Sequence, residues 1–123
     1  MNINQLLVVG FGAYEENGVL VAGWRLVDAP VSEVIIQDDP TRSLDSAGLK
    51  GPHLEVDGRG CYGAVDGLVY DASRALARLS LNHPATSVVF LDLPIPHSTK
   101  AEEREVVGRL ATSVSSFLRA QQS

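Results

Sequence analysis

The stretch QLLVVGFGAYEENGVLVAGWRLVD, residues 5–28, decides the start of the fold. Asn17-Gly18 lies between two apolar runs, and this dipeptide is the strongest short signal for a two-residue type I′ turn. The turn predicts an antiparallel hairpin in which the numbers of paired residues sum to 35. One face of this hairpin is then apolar, because it carries the pairs Phe11–Trp24, Ala13–Ala22 and Val9–Leu26.

The opposite face of the hairpin is nearly bare. Gly12 faces Gly23 and Gly10 faces Arg25 in the same register. Glycines within a strand mark a bend or a close approach of another backbone or ligand. We therefore expect Gly10, Gly12 and Gly23 to form a binding surface for a helix, a neighbouring subunit or a ligand. Helix packing or sheet curvature is the simpler of these explanations.

A third strand and an irregular loop are expected next. VSEVIIQ, residues 31–37, follows a turn at Ala29-Pro30 and predicts a strand antiparallel to the second. Residues 38–60 are rich in Gly, Pro and Asp, and their strand-like piece is HLEV. Long loops are often functional. This loop is therefore a candidate binding segment, with an acidic character given by Asp38, Asp39, Asp45 and Asp57.

The second half of the chain changes period. Apolar residues from Ala64 onward follow helical spacing, namely Val65, Leu68, Val69, Ala72, Ala75, Leu76 and Leu79. The helix is expected to end before Pro84. TSVVFLDL, residues 86–93, is a continuous apolar run typical of a strand buried on both faces. Thr99 and Glu102 have the spacing of a capping box and predict a second helix.

These elements predict one α/β domain with a mixed sheet. Residues 1–37 form an antiparallel β-β-β unit, residues 38–60 an irregular loop, and residues 61–123 an α-β-α unit. A mixed sheet covered by two amphipathic helices is the economical way to bury this pattern. A chain of 123 residues supports a single core of this kind.

Composition narrows the classes of function. The net charge of -5 and the scattered basic residues argue against nucleic acid or an anionic membrane as partner. One cysteine excludes an internal disulfide and a cysteine-rich zinc site. The glycines of GFGAYEENG lack the third glycine of a dinucleotide fingerprint, so no cofactor is expected. We expect a soluble, cytoplasmic protein without a membrane span.

Cys61 is the first candidate for chemistry. It stands in GRGCYGAVDG, residues 58–67, where the first helix is expected to begin. Helix amide groups lower the pKa of a nearby thiol, and flanking glycines allow a sharp turn around a nucleophile. A thiol-dependent acyl-transfer or hydrolase enzyme would use Cys61 as nucleophile and His97 or His53 as base. The alternative is a small apolar residue that fills the core.

Asp66 and Asp92 are the second candidate. The predicted order of three antiparallel strands, a helix, a strand and a helix resembles that of ribonuclease H-like proteins. This resemblance implies metal-dependent nuclease activity, with Asp66 and Asp92 at the second and third metal-binding positions. The family places its first acid in the middle of the first strand, where LLVVGFGAY has no carboxylate.

The leading hypothesis is a small interaction or assembly module without enzymatic activity. It would bind a protein partner or assemble with itself as a homo-oligomer. The bare glycines and the acidic residues are its candidate contact surfaces.

Overall fold

The computed structural model describes residues 6–41 and 51–121. These ranges contain eight strands and one helix: β1 (Leu7–Glu16), β2 (Val19–Val27), β3 (Glu33–Asp38), β4 (His53–Val56), β5 (Arg59–Tyr62), β6 (Val65–Asp71), β7 (Leu76–Leu81), β8 (Phe90–Pro94) and α1 (Ala101–Gln121). Strands β1 to β5 form one antiparallel sheet in chain order, and β6 to β8 form a second.

The first hairpin has the predicted turn and almost the predicted register. Asn17 and Gly18 have φ angles of 53° and 84°, the left-handed values that a type I′ turn requires. Phe11 faces Trp24 and Gly12 faces Gly23, as expected. The register then shifts between Val8 and Gly10, so that Val8 rather than Val9 faces Leu26. A bulge of this kind adds one residue to the edge strand.

The predicted α/β class is wrong, because the structure is two antiparallel sheets with a C-terminal helix rather than a mixed sheet with an α-β-α unit. The expected first helix is the hairpin β6–β7. A bulge between Val65 and Gly67 brings Val65 and Leu68 to the same buried side, three residues apart. That spacing imitates one helical turn.

The apolar run TSVVFLDL is also not a strand buried on both faces. β8 lies at the edge of the three-stranded sheet, where Leu91 and Leu93 are buried and Phe90 is exposed. Alternating burial is usual for an antiparallel sheet that has one face on the core. Residues 42–50, which include Asp45, lie outside the described residues.

A second tight hairpin replaces most of the expected loop. Asp57 and Gly58 have φ angles of 50° and 86° and join β4 to β5. HLEV is a strand, as its pattern indicated, and it pairs with β3 as well as with β5. The five-stranded sheet therefore extends two strands beyond the predicted unit.

One core lies between the two sheets and α1. The side chains on one face of the five-stranded sheet, here called the inner face, are buried together with residues of the small sheet and the helix: Ala22, Trp24, Val34, Ile36, Leu54, Leu68, Leu79, Leu93, Val107, Leu110 and Val114. Trp24 joins the sheets directly, because its indole Nε1–H donates a hydrogen bond to the Pro94 carbonyl at 3.1 Å.

The predicted C-terminal helix is confirmed, with its capping contact displaced by one residue. Glu103, not Glu102, accepts a hydrogen bond from the backbone N–H of Lys100. Its other carboxylate oxygen lies 3.4 Å from the amide nitrogen of Ala13 on β1. The helix start therefore caps part of an edge strand. Among the described residues, no helix combines the length and apolar character needed to cross a membrane.

Candidate functional site

The second face of the five-stranded sheet, here called the outer face, points away from α1. Strand pairing aligns its side chains in two adjacent rows across all five strands. The tyrosine row contains Tyr14, Val21, Gln37, His53 and Tyr62. The glycine row contains Gly12, Gly23, Ile35, Glu55 and Gly60. Alternation along each strand places both rows on the same face, two residues apart.

The glycine row has an open floor at its β1–β2 end, which we call the glycine notch and define by Gly12 and Gly23. A Cβ atom built on Gly12 would meet no described atom within 4 Å. A Cβ on Gly23 would lie 3.5 Å from a side-chain carbon of Ile35, an ordinary contact. The helix that could have covered these glycines packs on the inner face instead, so neither glycine is required by packing within the described chain.

Apolar side chains lie to both sides of the glycine notch along the strands. Tyr14 is 52% exposed beside it, and the cross-strand pair Leu7 and Val27 is 59% and 38% exposed beyond Gly10. Val21 completes the border and is buried. The floor of bare backbone is therefore bordered by Tyr14 and Val21 on one side and by Gly10 and Arg25 on the other, with Leu7 and Val27 beyond them.

The far end of the glycine row is filled. The ring of His53 lies over Gly60, where an added Cβ would come within 2.6 Å of it. The same ring meets Tyr62 edge to face at a centroid distance of 4.8 Å. His53 therefore packs on the outer face and leaves the notch at β1 and β2 as the open part of the row.

Charged groups flank the notch on two sides. Arg25 lies next to Gly10 and approaches the carboxylate of Glu33 at 3.6 Å. Glu16 is exposed on β1, two residues beyond Tyr14. Glu15 points to the other side and pairs with Arg109 of α1 at 2.7 Å. The hydrogen bond with Arg109 lowers the pKa of Glu15, and the charge of Arg109 acts in the same direction.

Cys61 lies on a strand rather than at the start of a helix. It pairs with Leu54 on the inner face, is half-buried and packs against the core. Its Sγ is 3.2 Å from the carbonyl oxygen of Tyr62. His53 lies on the opposite face, because it pairs with Tyr62 and strand side chains alternate. Cys61 therefore lies among strand neighbours and not at the N-terminal amide groups of a helix.

The histidines are dispersed. His97 is exposed after β8. His83, at the end of the expected first helix, is buried, and its Nδ1 accepts a hydrogen bond from the amide of Ala85. Its Nε2 therefore carries the proton and donates to the Arg59 carbonyl at 2.8 Å. This side chain ties the β7–β8 connection to the β4–β5 hairpin.

The acidic residues of the expected binding loop lie at separate places. Asp38 is buried and accepts a hydrogen bond from Ser113 of α1. Asp39 accepts bonds from the hydroxyl and amide of Thr41, and the hydroxyl is the main cause of its lowered pKa. Asp57 accepts bonds from the amides of Ser32 and Glu33 at 2.7 and 2.9 Å. Each carboxylate stabilises a local turn or packing contact.

Asp66 and Asp92 are not brought together. The strands of Asp66 and Asp92 lie on either side of β7, two strand spacings or about 10 Å apart. Asp92 is aligned across β7 with Val69, and Asp66 is three residues, about 10 Å, along the strand from Val69. Asp66 accepts a hydrogen bond from Asn82, and Asp92 pairs with Arg78 at 2.7 Å. The bond to Asp92 raises the pKa of Arg78. No metal-binding group of three or more His, Cys, Asp or Glu occurs within residues 6–41 and 51–121.

A groove of about 790 Å³ runs along α1 and was not foreseen from the sequence. Leu20, Tyr70 and Phe117 give it apolar walls, and the ring of Tyr70 lies next to Gly108, where an added Cβ would be 3.5 Å from the ring. Both arginines that line it are already engaged: Arg109 pairs with Glu15, and Arg104 donates to the carbonyls of Pro96 and His97. In the sequence, the feature that pointed to a groove at this place was Gly108, a glycine in the middle of an amphipathic helix.

Comparisons with protein-family models, with curated proteins and with solved structures found no match for this chain.

Proposed function

We propose that the protein is a non-catalytic assembly module that binds another polypeptide through the outer face of its five-stranded sheet. The open floor at Gly12 carries the proposal. Glycine weakens a strand interior compared with residues that have side chains. At Gly12 no described atom occupies the space that a side chain would fill. Such a departure from local preference is expected where something outside the chain comes close.

The rim of the notch supports a protein as the binding partner. Tyr14, Leu7 and Val27 place exposed apolar surface around the bare backbone. Grouped apolar surface of this kind marks interaction sites, and tyrosine is enriched in them because its ring is apolar and its hydroxyl is polar. The acidic and basic groups at the edge, Glu16 and Arg25, suit the polar rim of a protein interface.

The outer face is also stiff enough to bind with little loss of entropy. β2 is hydrogen-bonded on both sides, to β1 and β3, over most of its length. Groups held on such a frame lose less conformational freedom on binding than groups on a loop. The notch therefore needs no rearrangement of its backbone to receive a side chain.

Photo-cross-linking tests the proposal. Tyr14 is replaced by p-benzoylphenylalanine, and the protein is irradiated in an extract of the cells that express it. The matched control carries the same probe at Val69, which is 62% exposed on the outer side of the three-stranded sheet. We expect discrete adducts from position 14 and only background from position 69.

Gly12→Arg provides the blocking variant. Its side chain enters open space in the isolated chain, so the fold is expected to be retained. It fills the notch, and the adducts from position 14 should disappear, whereas Val69→Arg should leave them unchanged. Equal labelling from positions 14 and 69, or adducts that persist in a folded Gly12→Arg protein, would show that the outer face is not the docking surface.

A further inference from the structure

Resting on the proposed docking function, we infer that the partner is a second copy of this chain, packed face to face so that Tyr14 of each copy enters the glycine notch of the other. The outer face presents a large side chain and a vacant position next to each other. Tyr14 and Gly12 lie on the same strand, two residues apart, which is about 7 Å. A surface with both features side by side can be complementary to itself.

A two-fold axis provides this arrangement. The axis lies in the plane of the interface and runs between the tyrosine row and the glycine row, perpendicular to the strands. Rotation about it places the tyrosine row of one copy over the glycine row of the other. Tyr14 then faces Gly12 across the interface, and the reciprocal contact forms by symmetry. Isologous contacts of this type are the commonest arrangement of soluble homo-oligomers.

The same axis makes the charges next to the notch complementary. Arg25 lies two residues beyond Gly23 on β2, and Glu16 lies two residues beyond Tyr14 on β1. These two residues lie at equal distances on opposite sides of the axis. The rotation therefore brings Arg25 of each copy close to Glu16 of the other. The side chain of Arg25 is 71% exposed, and its contact with Glu33, at 3.6 Å, is a surface ion pair that can be exchanged for one across an interface. Opposite charges in these positions favour this register over others.

The available area fits a weak dimer. Five strands about 4.8 Å apart and about seven residues long project to roughly 550 Å². The accessible surface exceeds this projected area because side chains protrude from the sheet, and it approaches the roughly 800 Å² per partner of a standard interface. Packed sheets cross at about 30°, so only part of this area is in close contact. We therefore expect dimerisation that depends on protein concentration.

Charge exchange tests the register on the purified chain. Arg25→Glu and Glu16→Arg are each measured alone and as an equimolar mixture by sedimentation velocity. Each variant alone places like charges opposite each other, and we expect its dimer to dissociate at least about tenfold more readily than the wild type. The mixture restores both opposite-charge contacts and should form a heterodimer. A mixture that is no more dimeric than either variant alone would overturn the inference.

The proposal of a second copy and the docking proposal fail differently. If the purified wild type stays monomeric at high concentration while the probe at position 14 forms adducts with a different protein, the second copy is wrong and docking at the outer face stands. If the chain is monomeric and position 14 gives only background, both are wrong. Adducts of twice the chain mass, lost in Gly12→Arg, support both.

Discussion

Trp24→Phe tests the contact that joins the two sheets. Trp24 is buried, stacks on Phe11 at a centroid distance of 5.3 Å, and donates from its indole nitrogen to the Pro94 carbonyl at 3.1 Å. Phenylalanine keeps the aromatic ring but removes the donor and part of the volume. The carbonyl of an edge strand of the small sheet then loses its partner from the large sheet.

The expected loss of stability has two parts. The hydrogen bond contributes about 1 kcal/mol net. The smaller ring buries less apolar surface and leaves a small cavity, which together cost about 1–2 kcal/mol. The free energy of unfolding should therefore fall by about 2–3 kcal/mol, which corresponds to a decrease in Tm of roughly 10 °C for a domain of this size.

Urea unfolding followed by circular dichroism measures this loss, because Trp24 is the only tryptophan and its fluorescence disappears in the variant. The matched control replaces Trp24 with β-(3-benzothienyl)alanine, which keeps the volume but carries sulfur instead of N–H. We expect a decrease of about 1 kcal/mol for the control. A control with the same free energy of unfolding as the wild type would refute the role of the hydrogen bond. A loss of free energy below about 1 kcal/mol in Trp24→Phe would refute the role of packing at this site.

Three further predictions concern polar contacts. Hydrogen bonding to the Ser73 hydroxyl lowers the pKa of Asp71, so its contribution to stability is present above about pH 4 and is lost as the pH falls through the lowered pKa. The difference in urea midpoint between wild type and Asp71→Asn should therefore shrink from pH 7 to pH 2, and a constant difference would contradict this assignment. His83→Ala should lower the free energy of unfolding by about 2–3 kcal/mol, because two hydrogen bonds of a buried side chain are lost. The control His97→Ala alters an exposed side chain, and an equally large loss of stability in that variant would contradict the role of the His83 contacts. Glu103→Ala should accelerate hydrogen exchange at the Ala13 amide, which loses its side-chain acceptor, and an unchanged rate would argue against this strand cap.

Turn chemistry explains what the sequence predicted well. Asn17-Gly18 determines the first hairpin and its register, because few residue pairs adopt two consecutive left-handed conformations. Asp57-Gly58 carries the same signal and forms the same kind of turn. Reading it as a hairpin would have added β4 and β5 to the sheet.

Periodicity was misleading where a bulge intervened. The spacing of Val65 and Leu68 satisfies a helix, but it also satisfies a bulged strand, and the local pattern does not distinguish the two. Asp71 and Ser73 form the turn that would have decided the matter, through hydrogen bonds between their side chains and backbone. This segment accounts for the expected first helix, and the missed β4–β5 hairpin and the edge position of β8 account for the rest of the error in fold class.

The candidate site was partly visible in the sequence. The register of the first hairpin places Gly12 opposite Gly23, and this pair is present in the structure. The rest of the outer face depends on pairing with β4 and β5, which brings Tyr62 and His53 into the row of Tyr14. Such pairing between distant segments is set by tertiary packing, so local residues could not predict it.

Cysteine cross-linking between two variants tests the central claim most directly. One chain carries Tyr14→Cys and the other Gly12→Cys, both with Cys61→Ser to remove the native thiol. Mixed with a bismaleimide that spans about 10 Å, the distance between packed sheets, they should be linked between positions 14 and 12 faster than either variant links to itself, because the two-fold axis places these positions opposite each other. Predominant links between two copies of position 14, or no link faster than a Val69→Cys control, would contradict the account.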